Sequence, residues 1–227
     1  MRNVKRRKKP MSLQRNGSRW KRELLAELSA ACCEKRKPKQ SFYDRYQQDD
    51  IRKAIHKMYN GLCCYCETRV KPSGYEHIEH RKPKKKFPES TFDWENLHLA
   101  CPRCNVKKSD KWDASHEILD AVIDVPITQH LTYEESADGI YRKELTLRGN
   151  TTIKHTDLNC DDLLQARAKI YLEVMKTIRT IRKAAGSSTG LLPEHKNPIR
   201  MLRKKSEDQY GSMIKFLLEE FLADVLD

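Results

Sequence analysis

Apolar residues fall at helical spacing in four stretches of the chain, and a long stretch between them breaks that rhythm. The first follows Trp20, with Leu24, Leu25 and Leu28 on one side, and ends before Pro38. The second runs from Ser41 to Asn60, where Tyr43, Tyr46, Ile51, Ile55, Met58 and Tyr59 make a stripe that Asn60-Gly61 should stop. The strongest spans 161–185: Leu163, Leu164, Arg167, Ile170, Tyr171, Val174, Met175, Ile178 and Ile181 recur on one side, and Gly186 closes it. In the last, Met213, Ile214, Leu217, Leu218, Phe221, Leu222 and Val225 form a broad face from which Phe216 turns away. That face is expected to pack on the 161–185 helix. Its alternative use is as a docking helix for a partner protein, centred on Leu217, Leu218, Phe221 and Leu222.

Between the second and third stretches the pattern favours short strands. Tyr75 to Arg81 alternates loosely, the lysine-rich run from Pro83 to Pro88 reads as a loop, and Thr91-Phe-Asp-Trp begins a return. Pro102 suits the first turn of a helix that carries Lys107 and Lys108. The order strand, loop, strand, helix predicts a ββα unit over 61–111. Further on, Ile118 to Val125 is largely apolar and is ended by Pro126, and Leu131 to Leu145 reads as a hairpin turning at Asp138-Gly139. Gly186 to Pro198 is loop by composition. The expected fold is therefore helix-rich α+β, with a basic arm at 1–22, helices at 23–60, the ββα unit at 61–111, and a brace and helical region at 112–227.

Composition sharpens the partner class. The chain has 227 residues, 38% hydrophobic and 34% charged, with a formal net charge of +13, which favours a polyanionic partner. No apolar run approaches the roughly 18 residues of a membrane span, and no secretory core is visible, so cytoplasmic placement is expected. Residues 1–22 hold ten Arg or Lys and no acid. That predicts a solvated, disordered arm that adds salt-dependent, sequence-independent affinity for nucleic acid.

The chemistry concentrates in 61–111. Two Cys-x-x-Cys pairs, Cys63/Cys66 and Cys101/Cys104, have the ligand type and spacing of a closed structural zinc site. Cys64 competes with Cys63, but only Cys63 repeats the two-residue spacer of the second pair. Disulfides are the alternative for eight cysteines, and an intracellular-type chain disfavours them. Cys32, Cys33 and Cys160 read as ordinary thiols. Between the pairs stand Glu79-His80, and Asn105 follows the last cysteine. Phosphodiester hydrolysis needs an activated water and charge neutralisation at phosphate. His80 is the candidate base, because imidazole titrates near operating pH. Glu79 and Asn105 offer oxygens to one Mg²⁺ or Mn²⁺, with His77 the open alternative to Glu79. His80 and Asn105 are expected to face each other. Lys107, Lys108 and the loop lysines Lys84, Lys85 and Lys86 are candidate phosphate contacts. His98, between Leu97 and Leu99, reads as a packed histidine. A non-catalytic zinc module that only binds nucleic acid is the rival reading, and such a module has no need of Glu79-His80 with Asn105.

The run Ile78-Glu-His-x-x-Pro, then Asn96-Leu, then Cys-x-x-Cys-Asn with a following Lys, closely resembles the zinc-containing HNH endonucleases. Within these, the order YCE, IEH, FDWENL and CN is most similar to the PtuB-type nucleases of Septu and retron-associated antiphage defence. A looser echo runs through Thr151-Thr-Ile, Asp157-Leu-Asn and Leu163-Leu-x-x-Arg167. The resemblance implies that Asn96 orients the loop and the base histidine without touching substrate. The metal-binding acid of the family is often Asp, and Glu79 is one methylene longer. The resemblance also implies DNA as the first substrate; structured RNA or tRNA, which presents the same phosphodiester, is the alternative, since no base-reading element is visible. It further implies a companion ATPase of the PtuA kind and, for retron-associated members, an assembly with a reverse transcriptase and its RNA–DNA product.

Overall fold

The computed structural model describes residues 1–70, 77–137, 139–186 and 193–226. Tyr75, Glu76 and Asp138, and residues 187–192 of the loop expected after Gly186, lie outside them. The first helix, α1 (Met11–Cys33), buries Leu13, Gly17, Trp20, Leu24, Glu27 and Ala31. Those positions step by four and three, so a single stripe faces inward although the helix is otherwise polar and basic. Trp20 meets Phe92 at 5.7 Å between ring centroids, which sets α1 against the ββα unit.

The expectation of a disordered arm over 1–22 is overturned. Half of that segment is α1, and the residues before it are laid along the ββα unit. Val4 N–H donates to Ala121 O at 2.8 Å, and Trp94 Nε1 donates to Arg7 O at 2.8 Å. Arg6 donates to the carbonyls of Leu97 and Glu95 at 2.7 and 2.8 Å and lies 5.4 Å from the Trp94 ring centroid. The arginines find carbonyl acceptors, a use of basic residues that composition cannot distinguish from phosphate binding. Lys5, Arg7, Lys8 and Lys9 remain exposed.

The helix expected over 41–60 is three pieces: α2 (Gln40–Tyr43), a 3-10 turn at Asp44–Tyr46, and α3 (Asp49–Met58). Gln48 is extended, and Asp49 and Asp50 open α3, where carboxylates complement the positive helix end. Asp50 also accepts from the N–H and hydroxyl of Ser12 at 2.9 and 2.6 Å, tying α3 to the start of α1. Asn60 and Gly61 stop α3 with positive φ angles of 51° and 67°.

Strand β1 (His77–His80) pairs antiparallel with β2 (Leu97–Ala100), with His77 opposite Ala100, Glu79 opposite His98 and His80 opposite Leu97. The return strand starts later than expected, because Trp94–Asn96 forms a 3-10 turn. Helix α4 (Pro102–Lys108) follows at once, capped by the Cys101 sulfur, which accepts from Cys104 N–H. The second hairpin, β3 (Leu131–Ser136) with β4 (Gly139–Glu144), forms where the alternation placed it.

Helix α5 (Leu147–Thr156) was not anticipated. Its Gly-Asn-Thr-Thr centre is a poor helix former, and the Thr146 hydroxyl caps it by accepting from Gly149 N–H. A side chain at Gly149 would collide with the His130 carbonyl, 2.2 Å from where its Cβ would lie. Helix α6 (Asp161–Ala185) has the predicted bounds. Helix α7 (Pro193–Lys205) occupies part of the expected loop, with Pro193 at the first helical position, where a missing N–H costs nothing. Helix α8 (Gly211–Leu226) packs on α6. Leu217, Leu218 and Leu222 are buried there, and Phe221 is packed against the core, so the face offered for docking is core.

Buried residues from Leu13 and Trp20 through the cysteine region to Leu222 form one contiguous hydrophobic cluster. The C-terminal brace is locked by polar contacts. Asn159 Nδ2 donates to Arg142 O and its Oδ1 accepts from Arg142 N–H, both at 2.8 Å, and Arg167 donates to Leu158 O. Among the described residues, no helix is long and apolar enough to cross a membrane.

Candidate active site

The ββα unit stands on its cysteines. The sulfurs of Cys63, Cys66, Cys101 and Cys104 all lie within 4.8 Å of one another and are buried. Cys66 Sγ and Cys101 Sγ are 3.7 Å apart. A tetrahedron of Zn–S bonds near 2.3 Å has edges of about 3.8 Å, so the donor set and its spacing fit one structural zinc. Cys64 is outside the group; its N–H donates to Leu99 O at 2.8 Å, and its thiol is buried. Arg103 donates to Cys104 Sγ at 3.2 Å and Cys160 Sγ at 2.8 Å, placing positive charge beside the thiolates.

Above this base opens a cleft of about 450 Å³. His77, Glu79 and His80 line it from β1, Pro83, Lys84 and Lys85 from the following loop, and Asn105, Ser109 and Asp110 from α4 and its exit. His80 is buried, and its Nε2 lies 3.0 Å from Thr91 O. A carbonyl only accepts, so Nε2 carries the proton and Nδ1 keeps its lone pair. Burial, helped by the Lys84 ammonium, pulls the His80 pKa down to about 3, so the ring is neutral. The Tyr46 ring meets it edge-on at 4.5 Å.

Asn96 pins the loop between the strands. Its Oδ1 accepts from Lys82 N–H at 2.7 Å, and its Nδ2 donates to Lys82 O and Ser90 O at 3.1 and 3.0 Å. Asn105 lines the cleft with His80, but its amide is bonded elsewhere: Nδ2 lies 3.1 Å from His77 Nδ1. With Nδ2 held there, the carbonyl oxygen of Asn105 is left for another partner.

Glu79 is buried, and both Lys108 Nζ, at 2.5 Å, and Tyr65 OH, at 3.3 Å, bond its Oε1. Burial pushes its carboxyl pKa upward against the pull of Lys108. Lys108 also donates to His80 O at 2.8 Å and has no solvent exposure. The expectation that Lys108 contacts phosphate is therefore corrected, because its ammonium is spent inside the unit. Lys107 is half exposed and pairs with Asp157 at 3.1 Å. Lys84 donates to Tyr46 OH at 3.0 Å, while Lys85 and Lys86 are exposed. His98 is the packed histidine expected, with Nδ1 2.5 Å from Tyr59 OH.

The far wall of the cleft is Tyr46, Gln47 and Arg52; Tyr46 was expected only as part of a packing stripe, and Gln47 and Arg52 were not expected at the site. Arg52 donates to Gln47 Oε1 at 2.8 Å and Gln47 O at 3.3 Å, fixing a guanidinium across from the strand. The signal that could have exposed this wall is the Gln47-Gln48-Asp49-Asp50 run, where the aromatic stripe stops and a new helix begins.

The family model for HNH endonucleases matches residues 63–111. The chain is 30% identical over 137 residues to the Septu protein PtuB of Bacillus thuringiensis, covering 60% of this chain and 51% of that protein. It is 28% identical over 163 residues to the Septu protein PtuB of Bacillus mycoides (strain KBAB4), covering 58% of this chain and 54% of that one. The chain thus spans about half the length of the curated relatives it matches. Residues 63–111, which hold the four-cysteine cluster, match the HNH endonuclease family model, within a helix-rich α+β chain similar to Septu PtuB over more than half its length.

Proposed function

We propose that the protein is a divalent-metal-dependent endonuclease that cleaves nucleic acid, DNA first and structured RNA second. The observation that carries this is the tautomer of His80: with Nε2 tied to Thr91 O, a neutral ring leaves Nδ1 free to take a proton from water. A bound phosphodiester, being negative, raises the proton affinity of that nitrogen at the moment it is needed. Glu79 and the Asn105 carbonyl are hard oxygen donors on one cleft and suit Mg²⁺ or Mn²⁺. Such an ion, when bound, neutralises phosphate charge and stabilises the leaving 3′-oxygen. Asn96 holds the loop that carries Thr91 and so positions the base. His77 acts on Asn105 by orienting its amide. Lys84 and Lys85 line the cleft and would draw the phosphate backbone toward it.

The relatives are named as Septu proteins. By that likeness we place the nuclease in antiphage defence, working with an ATPase of the PtuA kind and, in retron-associated settings, beside a reverse transcriptase and its RNA–DNA product. The rival reading, a zinc module that only binds, leaves the neutral His80 ring in a cleft of oxygens and cations without a purpose. The test is purified protein with Mg²⁺ or Mn²⁺, with and without its genomic neighbours, against DNA and total RNA. Wild-type cleavage that disappears in His80→Ala at unchanged zinc content is expected. Equal cleavage by both proteins would overturn the assignment of His80 as the base.

A further inference from the structure

Lys108 is a fully buried lysine in the last turn of α4, and its two bonds go to the two residues on which the proposed chemistry depends: Oε1 of Glu79 and the carbonyl oxygen of His80. Buried lysines are rare unless paired, and this one is paired with the carboxylate offered as a metal ligand. Glu79 therefore presents itself to the cleft as one half of a neutral ion pair. The other charged groups lining the cleft are Arg52, Lys84 and Lys85 against Asp110. With Lys108 behind Glu79, four cations stand against two carboxylates.

That balance is poor for a free dication. Mg²⁺ and Mn²⁺ shed water reluctantly and are held by carboxylates together with substrate phosphate oxygens. Fixed ammonium and guanidinium groups in a partly desolvated cleft repel them, and the repulsion is strongest for the buried ammonium beside the ligand itself. The same cations attract a phosphodiester, which brings the anionic oxygens the site lacks. Building on the nuclease reading above, we propose that Lys108 is a counter-cation that makes metal loading conditional on substrate: the divalent ion binds weakly to the protein alone and tightly once nucleic acid is in the cleft. Linkage makes the coupling mutual, so the metal tightens nucleic acid by the same factor. The cleft is then held short of its metal until a strand arrives.

The test is Mn²⁺ binding by electron paramagnetic resonance on the full-length, zinc-loaded protein. In the His80→Ala background, a short DNA duplex should tighten Mn²⁺ about tenfold or more. Without DNA, Lys108→Met should tighten Mn²⁺ by a similar factor and Lys108→Arg should not. Adding Glu79→Gln to Lys108→Met should cancel the gain. A merely structural lysine would alter zinc content or melting and leave Mn²⁺ affinity where it was. Should Lys108→Met lose its zinc, the His80→Ala arm decides by itself. Mn²⁺ affinity that does not respond to DNA overturns the proposal, as does equal affinity in folded wild type and Lys108→Met. Loss of cleavage in His80→Ala with an unmoved Mn²⁺ curve would sink this inference alone. Retained cleavage in His80→Ala would sink the assignment of His80 as the base first.

Discussion

Two buried glutamates in this protein, twelve residues apart, are treated in opposite ways. Glu67, directly after Cys66 of the four-cysteine cluster, is 1% exposed and saturated. Arg2 and Arg142 pair with it at 2.9 and 3.0 Å, the Met1 amine nitrogen lies at 2.6 Å, and the Ser212 N–H and hydroxyl donate to it as well. Desolvation works to raise its carboxyl pKa, but these cations more than offset it, so the net shift is strongly downward. Glu79 is as buried, yet its bonds fall on one oxygen and its pKa is raised. A carboxylate that is fully answered joins elements: Glu67 draws the first residues, β4 and the start of α8 onto the cysteine knuckle. A carboxylate that is half answered and opens on a cleft keeps one oxygen open to another partner. The distinction lies in the partners, since the two residue types and their burial are the same.

This contrast can be broken in graded ways. The largest effect should come from the base that both carboxylates share. Stripping zinc with a strong chelator should unfold the 63–111 unit outright, because a closed thiolate site contributes on the order of 10 kcal/mol to such a unit. Metal analysis should first return about one zinc per chain, and circular dichroism should then follow the loss. Intact structure after complete zinc removal would mean that the hydrophobic core alone holds the unit.

Next in size is Glu67→Ala. It leaves Arg142 and Arg2 facing each other without their anion and should cost about 3–5 kcal/mol in denaturant unfolding. Glu79→Gln keeps an acceptor for Lys108 and should cost less. If the two cost the same, the division between structural and site carboxylates fails. Third, His80→Ala should lower cleavage at least about 100-fold, or roughly 3 kcal/mol of transition-state stabilisation, at unchanged zinc content. The smallest effect belongs to Cys64→Ala. Trimming a buried thiol to a methyl should cost about 1 kcal/mol and leave zinc in place. Loss of zinc there would reassign the ligand set.

Much of this was legible along the chain because the signals were local. The α6 bounds follow from a helical stripe between an acidic start and Gly186, and the β3–β4 hairpin from alternation around a turn. The cysteine spacing gave the metal set, and the apolar neighbours of His98 gave its burial. What was missed depends on distant partners. Lys108 looks like any lysine at a helix end, and only the fold puts Glu79 and the His80 carbonyl on its ammonium. The basic residues 2–9 carry no periodicity, and their acceptors are backbone carbonyls near Leu97 and a glutamate at 67. Helix α5 is held by a threonine cap and a glycine fit against His130, neither of which makes a hydrophobic stripe.

The wall made by Tyr46, Gln47 and Arg52 has a practical consequence for anyone who trims the gene. The recognisable nuclease signature starts at residue 63, yet one side of the cleft comes from upstream of it. A fragment cut at the signature would keep its cysteines, the proposed base His80 and the proposed oxygen ligands Glu79 and Asn105. It would lose the edge contact on His80, the tether on Lys84 and the arginine opposite the strand. Swapping such a cassette between related proteins would transplant half a cleft, and the graft would depend on whatever helix the recipient happened to supply as its second bank.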